Sequence, residues 1–285
     1  RAWAREHAAM VNSVGDFPAA EPQREMHDGF AVGYVGTLSY AKLHPDFCAF
    51  CARVRDIPGI SFRLVGDAEN EARIRRDAEP FGLSAQLSFA GYVTDVAEFR
   101  RMDVFAYLLN PQHFGTTENV LLEAMNAGLP VVALDQCAEK HLVRHGETGL
   151  LVRTPGEFEQ ALRHLYAHPE ERARLGRNAR RFIEENFSVQ QTAVKLQAIY
   201  DEVMEEEKTA CDFSSMGKSP HEVFVNFLPP PLQAAFAHGK MPQELPEILR
   251  GESKSSAAHF ARLFPGDAQL RGWAQEIRQR GGEGA

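Results

Sequence analysis

Between residues 30 and 152 the sequence alternates short apolar segments with helical ones, and no other feature constrains the fold as much. The apolar segments are 30–36 (FAVGYVG), 60–66 (ISFRLVG), 86–91 (QLSFAG), 103–109 (DVFAYLL), 129–134 (LPVVAL) and 148–152 (TGLLV). Short apolar runs bounded by turn residues read as strands buried in a parallel sheet. The stretches between them carry helical patterns at 43–56, with Pro45 in its first turn, and at 70–81, 94–102, 117–127 and 137–145, the fourth stopped by Gly128. Strands alternating with helices form βαβ units and one doubly wound parallel sheet. Ligands of such sheets sit outside the carboxyl ends of the strands. Loops 37–42, 67–70, 92–95, 110–119 and 135–139 are therefore where function is expected.

The text on either side differs. Residues 1–28 are loosely patterned, with linker-like turn chemistry at 11–18. After Val152 the pattern is helical to Met204. Pro155 and Pro169 open helices, and Ser188 is placed to cap 189–204. The run 205–208 (EEEK) breaks this pattern. Residues 205–285 read as a helical appendage, with weak amphipathic patterns at 242–249 and 255–277. Composition excludes several classes of protein. The 31 basic and 39 acidic residues leave a net charge of −8, which argues against nucleic acid as a partner. No apolar stretch approaches the roughly 18 residues of a membrane helix. No basic segment leads into an apolar run, and four cysteines are too few for a disulfide scaffold, so a cytoplasmic setting is expected. Cys48 and Cys51 form a C-x-x-C inside an apolar helical pattern with no second pair at zinc spacing, and read as buried thiols. Trp273, Phe260 and Phe264 are spaced as a packing face.

The chemistry concentrates in 110–133 (NPQHFGTTENVLLEAMNAGLPVVA). A strand ends at Leu109, a loop with Gly115, Thr116 and Thr117 follows, and a helix begins near Thr117 or Glu118. Thr116 or Thr117 is the expected cap, and the free N–H groups behind it are suited to a phosphate. Glu118 and Glu123 would repel a phosphate but accept hydrogen bonds from sugar hydroxyls. The combination reads as a binder of a phosphorylated sugar or nucleotide.

The stretch 115–133 resembles the E-G-F-G-x-x-L-L-E-A-M-A-x-G-x-P-V-V-A segment of the large retaining glycosyltransferase family known as glycosyl transferases group 1 (family four), which has the GT-B fold. Other pieces follow in that family's order: 34–42 (YVGTLSYAK), 64–67 (LVGD), 89–93 (FAGYV) and 139–152 (EKHLVRHGETGLLV). The resemblance implies a Rossmann-like, nucleotide-sugar-binding C-terminal half, spanning 29–204. Residues 1–28 would be the linker and end of an N-terminal acceptor domain otherwise absent from this chain. It implies that Glu123 holds the ribose hydroxyls, that Lys42 neutralises the diphosphate, and that Gly36 and Thr37 lie beside it. Gly115, Thr116, Thr117, Glu118 and Asn119 would contact sugar and phosphate, and Tyr92 and Val93 the base. Lys42 and the helix N-terminus would stabilise the leaving diphosphate without an obligatory metal or other cofactor, and no D-x-D stands at a strand end.

The expected reaction is retaining transfer from a nucleotide diphosphate sugar to a glycan or glycolipid, as in polysaccharide assembly. The acceptor, and any peripheral membrane association, would come through the absent half. Two departures stand out. The family's first glutamate falls at Gly115, so either Glu118 substitutes or the sugar is held differently. The arginine of its first loop is Thr37, for which His44 and His113 are candidate replacements. These losses keep a degenerate binding module in view as an alternative. An epimerase relative usually lacks the E-A-M-x-A-G-x-P-V-V block, and G-T-L-S after the first strand is not the dinucleotide G-x-G-x-x-G.

Overall fold

The computed structural model describes residues 25, 27–93, 96–113, 118–207, 210, 212, 216–236, 249 and 256–281. Six parallel strands form one sheet: β1 (Phe30–Val35), β2 (Ile60–Val65), β3 (Leu87–Gly91), β4 (Val104–Tyr107), β5 (Val131–Leu134) and β6 (Gly149–Val152), in the order β3-β2-β1-β4-β5-β6. This is the expected doubly wound arrangement. Strand order reverses between β1 and β4, which opens a crevice at their carboxyl ends. The central strands β1, β4 and β5 are apolar and almost wholly buried, as parallel strands covered on both faces require, while β3 at the edge buries only Leu87. Tyr34, Phe105 and Tyr107 stack through the centre, with ring centroids 6.0 Å apart for Tyr34–Tyr107 and 5.5 Å for Phe105–Tyr107.

The helices are shorter than the sequence pattern suggests, for local reasons. Helix α1 is Phe47–Ala52, not 43–56. Pro45 precedes it instead of opening it, because Leu43 bridges Leu109, His44 N–H donates to Leu108 O, and Asn110 N–H donates to Lys42 O. The chain before α1 is thus zipped to the end of β4. Helix α2 is Glu71–Ala78, continued by a 3-10 turn at Glu79–Phe81, where Pro80 supplies no N–H. The pattern at 94–102 is a 3-10 segment, Val96–Arg101. Helix α3 is Asn119–Asn126, and α4 only Glu139–Leu142 because Val143 is extended and His145 bridges Gly149. Helices α5 (Pro155–Ala167) and α6 (Pro169–Asn186) open at the expected prolines, and α7 (Val189–Glu205) follows. Ser188 caps α7, its Oγ accepting from Gln191 N–H at 3.3 Å.

The chain divides into two compact units, 1–206 and 207–285. The second holds α8 (Pro220–Asn226), α9 (Pro230–Phe236), α10 (Ala257–Leu263) and α11 (Ala268–Gly281) around Phe224, Phe236, Leu270, Trp273 and Ile277. The pattern at 255–277 is two helices, since Pro265 and Gly266 interrupt it. Trp273 is buried and Phe260 partly so, but Phe264 ends α10 and is substantially exposed. The pattern at 242–249 lies outside the described residues except for Leu249, as does the linker at 11–18.

Candidate nucleotide-sugar site

A cavity of about 620 Å³ opens at the carboxyl ends of β1, β2 and β3 and the start of α3, beside the point where strand order reverses. The β1 end contributes Val35, Gly36, Thr37 and Lys42, and the β2 end Val65, Gly66 and Asp67. Tyr92 and Val93 follow β3, and Glu118, Asn119, Val120 and Glu123 belong to the start of α3. These walls include eight of the eleven residues singled out from sequence. The other three, Gly115, Thr116 and Thr117, lie outside the described residues.

The backbone shapes the cavity before any side chain does. A Cβ on Gly66 would lie 2.0 Å from Gly36 O, so the β1 and β2 ends can approach this closely only with glycine there. In β3, Ala90 is an extra residue, because Leu64 pairs with Phe89 and Val65 with Gly91. Gly91 has φ +72°, and this bulge with its left-handed turn aims the chain toward Tyr92, which is 79% exposed at the rim.

Glu118 occupies the N-cap position of α3, where Thr116 or Thr117 was expected, yet its side chain makes no cap. The carboxylate turns inward and is 5% exposed. Tyr107 Oη donates to Oε2, His113 Nε2 lies 3.3 Å from Oε1, and Lys42 Nζ lies 3.3 Å from Oε2. Burial opposes the charge, but hydrogen bonds with His113 and Tyr107 and the Lys42 ammonium outweigh it and hold Glu118 at about 2. Lys42 Nζ also sits 5.5 Å from the Tyr107 ring centroid. Asn110 holds the loop that carries Lys42: its Nδ2 donates to Tyr40 O at 2.7 Å and its N–H to Lys42 O at 2.7 Å.

Glu123 is different. It is half-buried on the cavity wall, burial alone raises its pKa, and its carboxylate has no hydrogen-bond partner among the described residues. Asp67 Oδ2 accepts from Leu38 N–H at 3.3 Å, while its buried Oδ1 is unpartnered. The cavity thus offers one ammonium, two carboxylates with open acceptor positions, and an aromatic rim. That set suits a ligand carrying anionic oxygens, hydroxyl donors and a planar ring.

Neither histidine proposed for the phosphate lines the cavity. His44 packs its ring on Phe50 at 5.0 Å, its Nδ1 accepts from Asp46 N–H, and burial lowers its pKa. His113 is buried against Glu118. Tyr107 and Asn110 were not singled out from sequence, although the polar Asn110 directly after an apolar strand is a readable signal. Cys48 and Cys51 are buried free thiols, and burial pushes Cys48 up to about 11. Among the described residues no cluster of three His, Cys, Asp or Glu side chains could hold a metal ion.

Comparison with known proteins places the chain among glycosyltransferases of this fold. Lipopolysaccharide core biosynthesis glycosyltransferase LpsE of Rhizobium meliloti is 30% identical over 191 residues, covering 65% of this chain and 55% of that protein. Putative glycosyltransferase EpsD of Bacillus subtilis is 27% identical over 189 residues, covering 64% and 49%. The chain therefore spans about half the length of these relatives. Among solved structures, Anabaena HepE in complex with UDP and glucose superposes with a TM-score of 0.56 at 22% identity, covering 61% of this chain and 49% of that one, a likeness of fold. The family described as Glycosyl transferases group 1 matches residues 19–182, more than half of the chain. This protein belongs to the glycosyl transferases group 1 family.

Proposed function

We propose that this chain is the donor-binding half of a glycosyltransferase that takes a sugar from a nucleoside diphosphate sugar. The observation that carries the reading is the pairing, across one cavity, of the Lys42 ammonium with the unpartnered Glu123 carboxylate. Lys42 is placed for the diphosphate, Glu123 for the ribose hydroxyls, and the exposed Tyr92 with Val93 for the base. Proteins of similar fold crystallised in complex with UDP support a nucleotide as the ligand class. Transfer with retention, to a glycan or glycolipid held by an N-terminal domain, extends the reading, as do a cytoplasmic site and independence of metal, with Lys42 as the resident cation. Relatives named for lipopolysaccharide core and capsular polysaccharide biosynthesis support the acceptor class.

Calorimetry on the folded chain tests the donor site. UDP and other nucleoside diphosphates should bind, unaffected by EDTA. Lys42→Met should weaken diphosphate binding about tenfold or more while leaving the nucleoside unchanged. Glu123→Ala should weaken both. Absence of binding to every common nucleoside diphosphate would remove the proposal. A second reading, a binding module without transferase activity, is favoured by one observation: Glu118 already neutralises Lys42, the cation intended for the diphosphate. Absence of transfer by the full-length protein, with nucleoside diphosphate binding intact, would put that reading ahead.

A further inference from the structure

The appended unit carries a second feature suited to a ligand, independent of the donor site. A groove of about 710 Å³ lies between α10 and α11. Ala258 and Ala261 of α10 line it, and their small side chains leave the space open. Arg262 enters it from α10, and Arg271, Gln275 and Arg278 from α11. The last three follow at intervals of four and three residues, so they form one stripe along the helix, with the two arginines about 10 Å apart along its axis. A further glutamine, Gln279, joins the lining, and among the described residues that line it none is acidic.

None of the three guanidinium groups meets a carboxylate among the described residues. Arg271 donates to Pro265 O, Arg278 Nε donates to Ala274 O at 3.2 Å, and Arg262 faces His259 Nδ1 at 3.2 Å. Other arginines of this acidic chain meet carboxylates, among them Arg63 with Glu98, Arg163 with Asp56 and Glu159, Arg174 with Glu171, and Arg280 on α11 itself with Glu276, while Arg55 and Arg172 donate to backbone carbonyls instead. Three like charges facing one groove repel each other, and an anion placed between them reverses the sign of that interaction.

We propose that the α10–α11 groove binds a phosphate-bearing anion through Arg262, Arg271 and Arg278. Guanidinium forks match phosphate oxygens in pairs, and their fixed charge makes the site independent of pH in the neutral range. The same chemistry serves a soluble phosphate and the headgroup of an anionic lipid.

Full-length Lys42→Met protein, used to silence the donor cavity, separates the two sources. Inorganic phosphate is titrated by calorimetry, and sedimentation is measured with phosphatidylcholine vesicles with and without phosphatidylglycerol. Binding to phosphate in solution, or to anionic vesicles only, is the expected result and identifies the source. Arg271→Gln together with Arg278→Gln should weaken it tenfold or more. Gln275→Glu should do the same while supporting the helix, since it sets a carboxylate one turn from each arginine. It therefore decides the matter if the double variant loses helicity. No binding to either probe, or equal binding by the Lys42→Met protein with and without Gln275→Glu, overturns the proposal. Nucleoside diphosphate binding at Lys42 and Glu123 is measured separately on protein with Lys42 intact, so failure of one site is not failure of the other.

Discussion

Glu118 shows what one altered motif position does to the cavity beside Lys42. It falls where the family pattern has its second glycine, and a carboxylate cannot be buried there alone. Tyr107 and His113 hydrogen-bond it, and Lys42 supplies the counter-charge. The group therefore positions Lys42 and mutes it at the same time. Because its folded pKa of about 2 is below the ordinary value of 4.5, Glu118 contributes stability above pH 4.5 and loses it as pH falls toward 2. The contribution is on the order of 3 kcal/mol. Glu123, raised by burial, acts with the opposite sign, favouring the fold below pH 4.5 and losing that contribution as pH rises through its folded pKa. Urea unfolding of wild type and Glu118→Gln across pH 7 to 2 checks the first effect. The gap in stability should be widest near neutrality and close toward pH 2. A gap that does not change with pH would mean that Glu118 is not ionised in its network.

The meeting of the β1 and β2 ends decides whether the cavity exists. Gly66→Ala would drive a Cβ against Gly36 O, and the two strand ends would have to separate. A cost of about 1–3 kcal/mol is expected, together with a loss of nucleoside diphosphate affinity, readable as a lowered Tm and a weaker calorimetric signal. An unchanged Tm would show that the ends give way without strain. The central strands were readable because burial on both faces leaves a continuous apolar run, β2 and β3 were readable despite Arg63 and Ser88, and all six ends came within a few residues. Helix ends were less readable, since the chain around 42–44 is fixed by hydrogen bonds to Leu108 and Asn110 just after β4, which local pattern does not encode. The site divides in the same way. Lys42, Glu123, Tyr92 and Val93 lie within local motifs, and all four line the cavity. Asn110 acts on Tyr40, 70 residues away, and His44 was misread because its packing on Phe50 is invisible in a loop motif.

At the scale of the whole molecule, charge and core both divide near residue 206. Residues 207–285 carry nine acidic and nine basic side chains, so the entire net charge of −8 belongs to 1–206. An anionic nucleotide must therefore be caught by local features, Lys42 and the backbone, against the field of its own unit. The appended unit has no such field to overcome, and its arginine groove is free to act on anions directly. Each unit has its own apolar cluster, one built on the sheet and one on Phe224, Phe236 and Trp273. Separate cores make separate folding the physical expectation. A fragment of residues 1–206 should thus fold cooperatively and bind nucleoside diphosphate within about threefold of the full chain, a difference below 1 kcal/mol. Limited proteolysis should cut first in the acidic stretch around 205–207, where the exposed end of α7 meets the unit boundary. Calorimetry on the fragment and mass spectrometry of the first cleavage products measure both. If the fragment aggregates or loses nucleotide affinity while the full chain keeps it, the second unit is a structural part of the donor domain rather than an independent anion-binding attachment.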